Sequence, residues 1–221
     1  MKSPKPIALE PRLRAVAEQI QAEVHADIGS DHALLPQYLL QTGRVGRVVA
    51  VEKHRGPYER SRQALEGWPA EVRLGDGLEP VREGEVHSLS LSGLGARQMV
   101  KILTRYPQRV PVRVVLQPNN SPEELRGWAQ AAGFHLIQEA MVEGFWPYTI
   151  LGLERRVGPD PAYQGLPQAA ALRYGPLLLR AAHPLLLQEL RAQQGHLERL
   201  RGRGARLGER LETLRQALAC L

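Results

Sequence analysis

Three carboxylates in the N-terminal half of the chain stand where short apolar runs break into turns. They are Asp27 in Asp27-Ile28-Gly29-Ser30-Asp31-His32, Glu52 after Val48-Val49-Ala50-Val51, and Asp76 in Gly75-Asp76-Gly77. An acid at a strand end suits a ligand with a cationic ammonium group. The glycine behind it lets that ligand approach the backbone, and helix N-terminal amides can receive a carboxylate. Glu52 lies 23 residues beyond Gly29, near the spacing at which an acid accepts hydrogen bonds from ribose hydroxyls. Asp76 can take the exocyclic amine of an adenine. Each acid alone can equally be a cap or turn residue, but three at successive strand ends point to an adenosyl ligand. With one glycine in the first motif, the three-glycine dinucleotide fingerprint is not met. S-adenosylmethionine, which carries both an adenosine and an ammonium group, fits better than NAD or FAD.

The elements that must position these acids are legible from periodicity. Apolar strand-like runs at Val24 to Ile28, Val45 to Glu52, Val86 to Leu91 and Val112 to Leu116, with a weaker one at Glu71 to Leu74, alternate with amphipathic stretches. The stretches Ala33 to Gln41, Pro57 to Glu66, Ala96 to Tyr106 and Pro122 to Ala132 read as helices. The last has Ser121 as a cap, Pro122 in the first turn, and Glu123 and Glu124 at the positive end of the dipole. His135 to Val142 and Tyr148 to Arg155 then read as an antiparallel hairpin at the sheet edge. The expected fold is α/β: a Rossmann-like class I methyltransferase sheet with an antiparallel edge hairpin, in a domain over residues 1–157.

Residues 158–221 are expected to form a Gly- and Pro-rich linker followed by a helical domain. Leu186, Leu190, Leu197, Leu200, Leu207, Leu211, Leu214, Leu218 and Leu221 keep a coiled-coil register. Gly202-Arg203-Gly204 interrupts it with poor helix formers, which favours two antiparallel helices joined near there. The 221 residues carry a net charge of +6, and the arginines crowd the last third. That balance favours a polyanionic partner. No apolar run approaches the roughly 20 residues of a membrane span, and the N-terminus lacks the apolar core of a secretory signal, so a cytoplasmic protein is expected. The single cysteine, Cys220, allows no internal disulfide and no cysteine-rich zinc site. His25, His32, His54, His87, His135, His183 and His196 show no metal-ligand spacing, so no metal is expected.

The stretches Ala26-Asp27-Ile28-Gly29-Ser30-Asp31-His32-Ala33-Leu34-Leu35-Pro36, Gly75-Asp76-Gly77-Leu78-Glu79, Ser92-Gly93-Leu94-Gly95 and Leu116-Gln117-Pro118-Asn119 resemble, in order, the bacterial tRNA adenine-N1 methyltransferases of the TrmK type. The linker, Arg173-Tyr174-Gly175-Pro176 and the C-terminal hairpin extend the resemblance over nearly the whole chain. The resemblance implies a monomeric enzyme that uses S-adenosylmethionine to methylate adenosine 22 of tRNA, with the hairpin engaging the tRNA. Asp27, Gly29, Ser30, His32, Glu52, Asp76, Gly77, Gly93 and Gly95 then frame the cofactor. The family usually reads Gly-Met-Gly-Gly where this chain has Gly93-Leu94-Gly95-Ala96, and the added methyl of Ala96 constricts the site if that position needs a positive φ.

Adenine N1 is a neutral ring nitrogen that attacks an activated methyl without prior deprotonation, so alignment supplies much of the acceleration. No cysteine nucleophile is needed. The product is a cationic adenine, which a carboxylate can stabilise or relieve of a proton. Asp31 is the candidate for that role, with helix capping as its alternative. Asn119 and Asn120 can present amides to the edge of an inserted base, Asn119 as the catalytic candidate and Asn120 as a substrate contact. Because N1 lies on the Watson–Crick edge, the base must leave its stack. Tyr38, Tyr148 and Trp146 can stack on RNA, and Arg199 and Arg203 can meet its phosphates. Other readings remain open at this point: methylation of another RNA, a protein or a small molecule, or a non-catalytic RNA-binding protein with a decayed pocket.

Overall fold

A computed structural model of the chain describes residues 6–30, 32–199 and 205–221. The strands are β1 (Ala22–Ile28), β2 (Val45–Glu52), β3 (Ala70–Leu74), β4 (Ser88–Leu94), β5 (Arg113–Pro118), β6 (Phe134–Val142) and β7 (Tyr148–Arg155). The α-helices are α1 (Pro11–Glu18), α2 (Leu34–Gln41), α3 (Arg55–Ala64), α4 (Ala96–Arg105), α5 (Pro122–Ala131), α6 (Gln168–Tyr174), α7 (Pro176–Arg180), α8 (Pro184–Arg199) and α9 (Ala205–Leu218). The strands form one sheet in the order β3-β2-β1-β4-β5-β7-β6. The first five are parallel, while β7 runs antiparallel to both β5 and β6.

Strand alternation divides the core between the two faces of the sheet. Ala26, Ile28, Leu89, Leu91, Val114 and Leu116 pack with Met99 and Leu103 of α4 and Leu125 and Ala129 of α5. Val48, Ala50, Val115 and Ile150 face the other way, onto Val16 of α1 and Leu35 and Leu39 of α2.

Two local expectations change in three dimensions. β4 runs on to Leu94 because it continues to pair with β5 through a bulge between Ser92 and Leu94, and Gly93 takes φ +75 there. Ser121 precedes α5 at φ 47, and its side chain makes no capping bond. A cap needs an extended backbone to swing its oxygen over the first amides; a left-handed one turns it away. Pro122, Glu123 and Glu124 remain to start the helix.

Beyond β7, Ala162, Tyr163 and Ala171 join the core of the first face. The Arg173-Tyr174-Gly175-Pro176 turn is fastened to β6 by a buried ion pair. Arg126 of α5 and Glu139 of β6 meet at 2.8 Å with side chains 1% and 0% exposed. Arg126 also donates to the carbonyls of Leu172 and Arg173, and Glu139 accepts from the amides of Leu177 and Leu178. Gly175, at φ +95, lies so close that a Cβ there would sit 2.6 Å from the Glu139 carboxylate oxygens. Leu186, Leu190 and Leu197 of α8 bury themselves with Leu211, Leu214 and Ala217 of α9 and with Met141 of β6. The break expected at Gly202-Arg203-Gly204 lies outside the described residues.

Candidate active site

The sheet order reverses between β1 and β4, which makes their carboxyl ends the crevice where open α/β sheets take ligands. Gly29 follows β1 at φ +76, with nothing within 4 Å of a Cβ built on it. Gly93, at φ +75, lies near the end of the adjacent β4. His32 and Ala33 take φ 62 and 54 between β1 and α2. Consecutive left-handed non-glycine residues are strained, and such strain collects at ligand loops. Asp31, the candidate for the cationic product, lies outside the described residues.

Asp27 is the end of a buried polar seam. Parallel pairing sets His25 opposite Ser88 and Asp27 opposite Ser90. His25 Nδ1 is 2.7 Å from Ser88 Oγ, and its Nε2 is 2.9 Å from Ser90 Oγ. Ser90 and Ser30 donate to the two Asp27 carboxylate oxygens at 2.5 and 2.6 Å. Burial lowers the His25 pKa to about 3, so the ring is neutral. Burial also raises the Asp27 pKa, against the two serine hydrogen bonds that lower it. A cation at this strand end favours the ionised form of Asp27.

Glu52 and Asp76 occupy the ends of the neighbouring strands. Glu52 is buried and accepts from Ser61 Oγ of α3 at 3.0 Å. Asp76 is partly exposed between Lys53 at 3.2 Å and Arg105 at 3.4 Å. Gly77, at φ +63, lets Ile102 close in, since a Cβ would stand 2.9 Å from its Cγ2. Three acids from three adjacent strands suit a cationic adenosyl ligand. They would repel the pyrophosphate of a dinucleotide.

The loops after β4 and β5 lock together. Gly93 N donates to Gln117 Oε1 at 3.0 Å, and Arg12 of α1 reaches the same oxygen at 2.5 Å. Asn119 Nδ2 donates to the Gly93 carbonyl at 2.7 Å. Asn120 Oδ1 accepts from Ala96 N at 3.2 Å, capping α4, and lies beside Gly95. Ala96 begins a helix and is not among the residues with positive φ, so its methyl group meets no backbone strain. Asn119 and Asn120 also line a cavity of about 240 Å³, together with Arg126, Thr149, Arg173, Tyr174 and Gln193.

The remaining substrate candidates are dispersed. Tyr148 opens β7 at the same sheet edge. Tyr38 packs half-buried against the core on the α1 and α2 face. Arg199 closes α8, but its side chain, like all of Arg203, lies outside the described residues. Residue-by-residue reading passed over His25, Ser88, Ser90, Gln117 and Arg12. The first four carried a signal, a polar residue inside an apolar strand; Arg12 carried none. Among the described residues, no group of three His, Cys, Asp or Glu can hold a metal ion, and no helix is long and apolar enough to cross a membrane.

This sheet order and acid-edged crevice define the Rossmann-like, S-adenosylmethionine-dependent methyltransferases. A profile of the tRNA (adenine(22)-N(1))-methyltransferases, TrmK, matches residues 25–219. The Bacillus subtilis (strain 168) tRNA (adenine(22)-N(1))-methyltransferase is 30% identical over 200 residues, covering 87% of this chain and 84% of that protein. The crystal structure of the B. subtilis enzyme superposes with a TM-score of 0.85, over 96% of this chain and 99% of that one. A putative tRNA methyltransferase of the same specificity from Streptococcus pneumoniae, solved in complex with S-adenosyl-L-methionine, is 28% identical with a TM-score of 0.84, over 96% of this chain and 100% of that one. The chain belongs to the TrmK family of tRNA (adenine(22)-N(1))-methyltransferases.

Proposed function

We propose that this chain methylates N1 of adenine 22 in tRNA, using Asp27, Gly29, Ser30, His32, Glu52, Asp76, Gly77, Gly93 and Gly95 to hold S-adenosylmethionine. The observation that carries the reading is the alignment of Asp27, Glu52 and Asp76 at the carboxyl ends of β1, β2 and β3. The bound cofactor supplies an electrophilic methyl group. Asp27 receives the ammonium group, Glu52 the ribose, and Asp76 the adenine amine, which competes there with Lys53.

The acceptor adenine enters the cavity beside Asn119 and Asn120. Asn119 spends its amide NH₂ on the Gly93 carbonyl, and its Oδ1 is left to accept from the N6 amine of the base and aim N1. Asp31 is the proposed carboxylate for the cationic product. Residues 158–221 form the proposed RNA-engaging unit, with Arg199 and Arg203 on phosphates. Burial of the α8 and α9 leucines within one chain supports a monomer, and the tRNA substrate supports a cytoplasmic location.

The test is nucleoside mass spectrometry of unmodified tRNA incubated with the protein and methyl-labelled S-adenosylmethionine. Label is expected in N1-methyladenosine at position 22; label elsewhere overturns the acceptor assignment. Asp27→Asn with Asp76→Asn is expected to weaken cofactor binding at least tenfold, and an unchanged affinity overturns the cofactor site.

A further inference from the structure

The loop between β6 and β7 carries an aromatic surface that the fold does not use. Phe145 is 91% exposed and Trp146 44% exposed, and they are the exposed aromatic side chains among the described residues. Their ring centroids lie 5.1 Å apart, edge to face, and Trp146 lies 5.5 Å from Tyr148. The Arg12 guanidinium covers the Tyr148 ring at 5.6 Å. Gly144 packs on that ring so closely that any Cβ would collide with it. Tyr148, packed by Gly144 and Arg12, thus supports Trp146, which in turn contacts Phe145.

The loop also stands at the right place. Leu116 of β5 pairs with Leu151 of β7, so the antiparallel register carried onward sets Tyr148 level with Asn119. Pro147 and Thr149 line the same cavity as Asn119 and Asn120. Arg12 ties this support to Gln117, which holds Gly93.

We propose that Phe145 and Trp146 stack on an unpaired base of the RNA substrate adjacent to the acceptor adenine, an inference that rests on the tRNA methylation reading. Drawing the acceptor out of its stack uncovers the face of its neighbour. Aromatic side chains take such a face regardless of base identity. The net charge of +6 suits the same polyanion. Two side chains on a loop tip are far smaller than the roughly 800 Å² per partner of a protein interface, whereas they match one or two bases.

The experiment compares the full-length wild type with Phe145→Ala/Trp146→Ala, using an unmodified tRNA that carries adenine at position 22. The double variant is expected to raise both the tRNA Kd and the KM for tRNA roughly 10- to 100-fold, with S-adenosylmethionine affinity unchanged. The slope of log Kd against log salt stays the same, because no phosphate contact is lost. Phe145→Tyr/Trp146→Tyr restores most of the binding. Phe145 is nearly fully exposed, so Phe145→Ala alone tests the same idea without disturbing the fold and is expected to weaken tRNA binding several-fold. Wild-type tRNA affinity and KM in both alanine variants overturn the proposal, and a surface that serves a protein partner gives that result. A wild type that binds S-adenosylmethionine but neither binds nor methylates tRNA overturns the functional reading first, and the stacking proposal with it.

Discussion

Glu139→Ala removes one half of the ion pair that fastens the C-terminal helices to the sheet. Arg126 is left charged with its side chain 1% exposed, and breaking a buried pair from one side costs about 3–5 kcal/mol. The amides of Leu177 and Leu178 lose their acceptor as well, at about 1 kcal/mol each. A total loss of about 5–7 kcal/mol is a large part of the roughly 5–15 kcal/mol typical of a folded protein. In urea it appears as a midpoint lowered by about 2 M. The double variant Arg126→Met/Glu139→Met deletes both charges and so avoids the stranded guanidinium. It still orphans the carbonyls of Leu172 and Arg173 along with the two amides, so it recovers only part of the stability. A midpoint shift under about 0.5 M for Glu139→Ala, or a double variant no better than the single one, would refute the reasoning.

Two further predictions follow from buried groups. His25 is held near pKa 3 in the fold by burial, against an ordinary value of 6.5, so the unfolded chain takes up a proton that the native one refuses. Stability is full above pH 6.5 and falls as the pH drops from there toward 3, with the unfolding constant rising by up to tenfold per unit. Asp27, raised above its ordinary 3.8, opposes that trend at the acid end, because its native form keeps a proton that the unfolded chain releases. Denaturant midpoints measured between pH 7 and 5 should decline in the wild type and flatten in His25→Gln; parallel profiles would remove His25 as the cause. Gly175→Ala places a methyl group on the Glu139 carboxylate, whereas Gly158→Ala, at φ +87, meets nothing within 4 Å. Thermal melts should show about 1–3 kcal/mol lost at Gly158 from backbone strain alone and clearly more at Gly175, and equal losses would contradict the steric account.

Local sequence determined much of this protein. β2 and β7 keep the bounds read from their apolar runs, Val45–Glu52 and Tyr148–Arg155, because alternation and turn residues are properties of neighbours along the chain. For the same reason Asp27, Glu52 and Asp76 were visible as strand-end acids. Of the C-terminal leucine register, Leu186, Leu190, Leu197, Leu211 and Leu214 are buried and Leu207 and Leu218 partly so, whereas Leu221 is exposed and Leu200 lies outside the described residues.

Tertiary structure decided what those acids touch. His25 and Asp27 become part of one polar seam only when β4, 63 residues away, supplies Ser88 and Ser90. Gln117 acquires its role from Arg12, 105 residues distant, and from a bulge that exists because β4 pairs with β5. The two asparagines that read as base contacts also brace backbone, Asn119 holding Gly93 and Asn120 capping α4. Ser121 could not cap once the loop turned it left-handed. A hydrogen bond depends on where donor and acceptor are brought, and that placement follows from sheet order and register, which no local stretch of sequence contains.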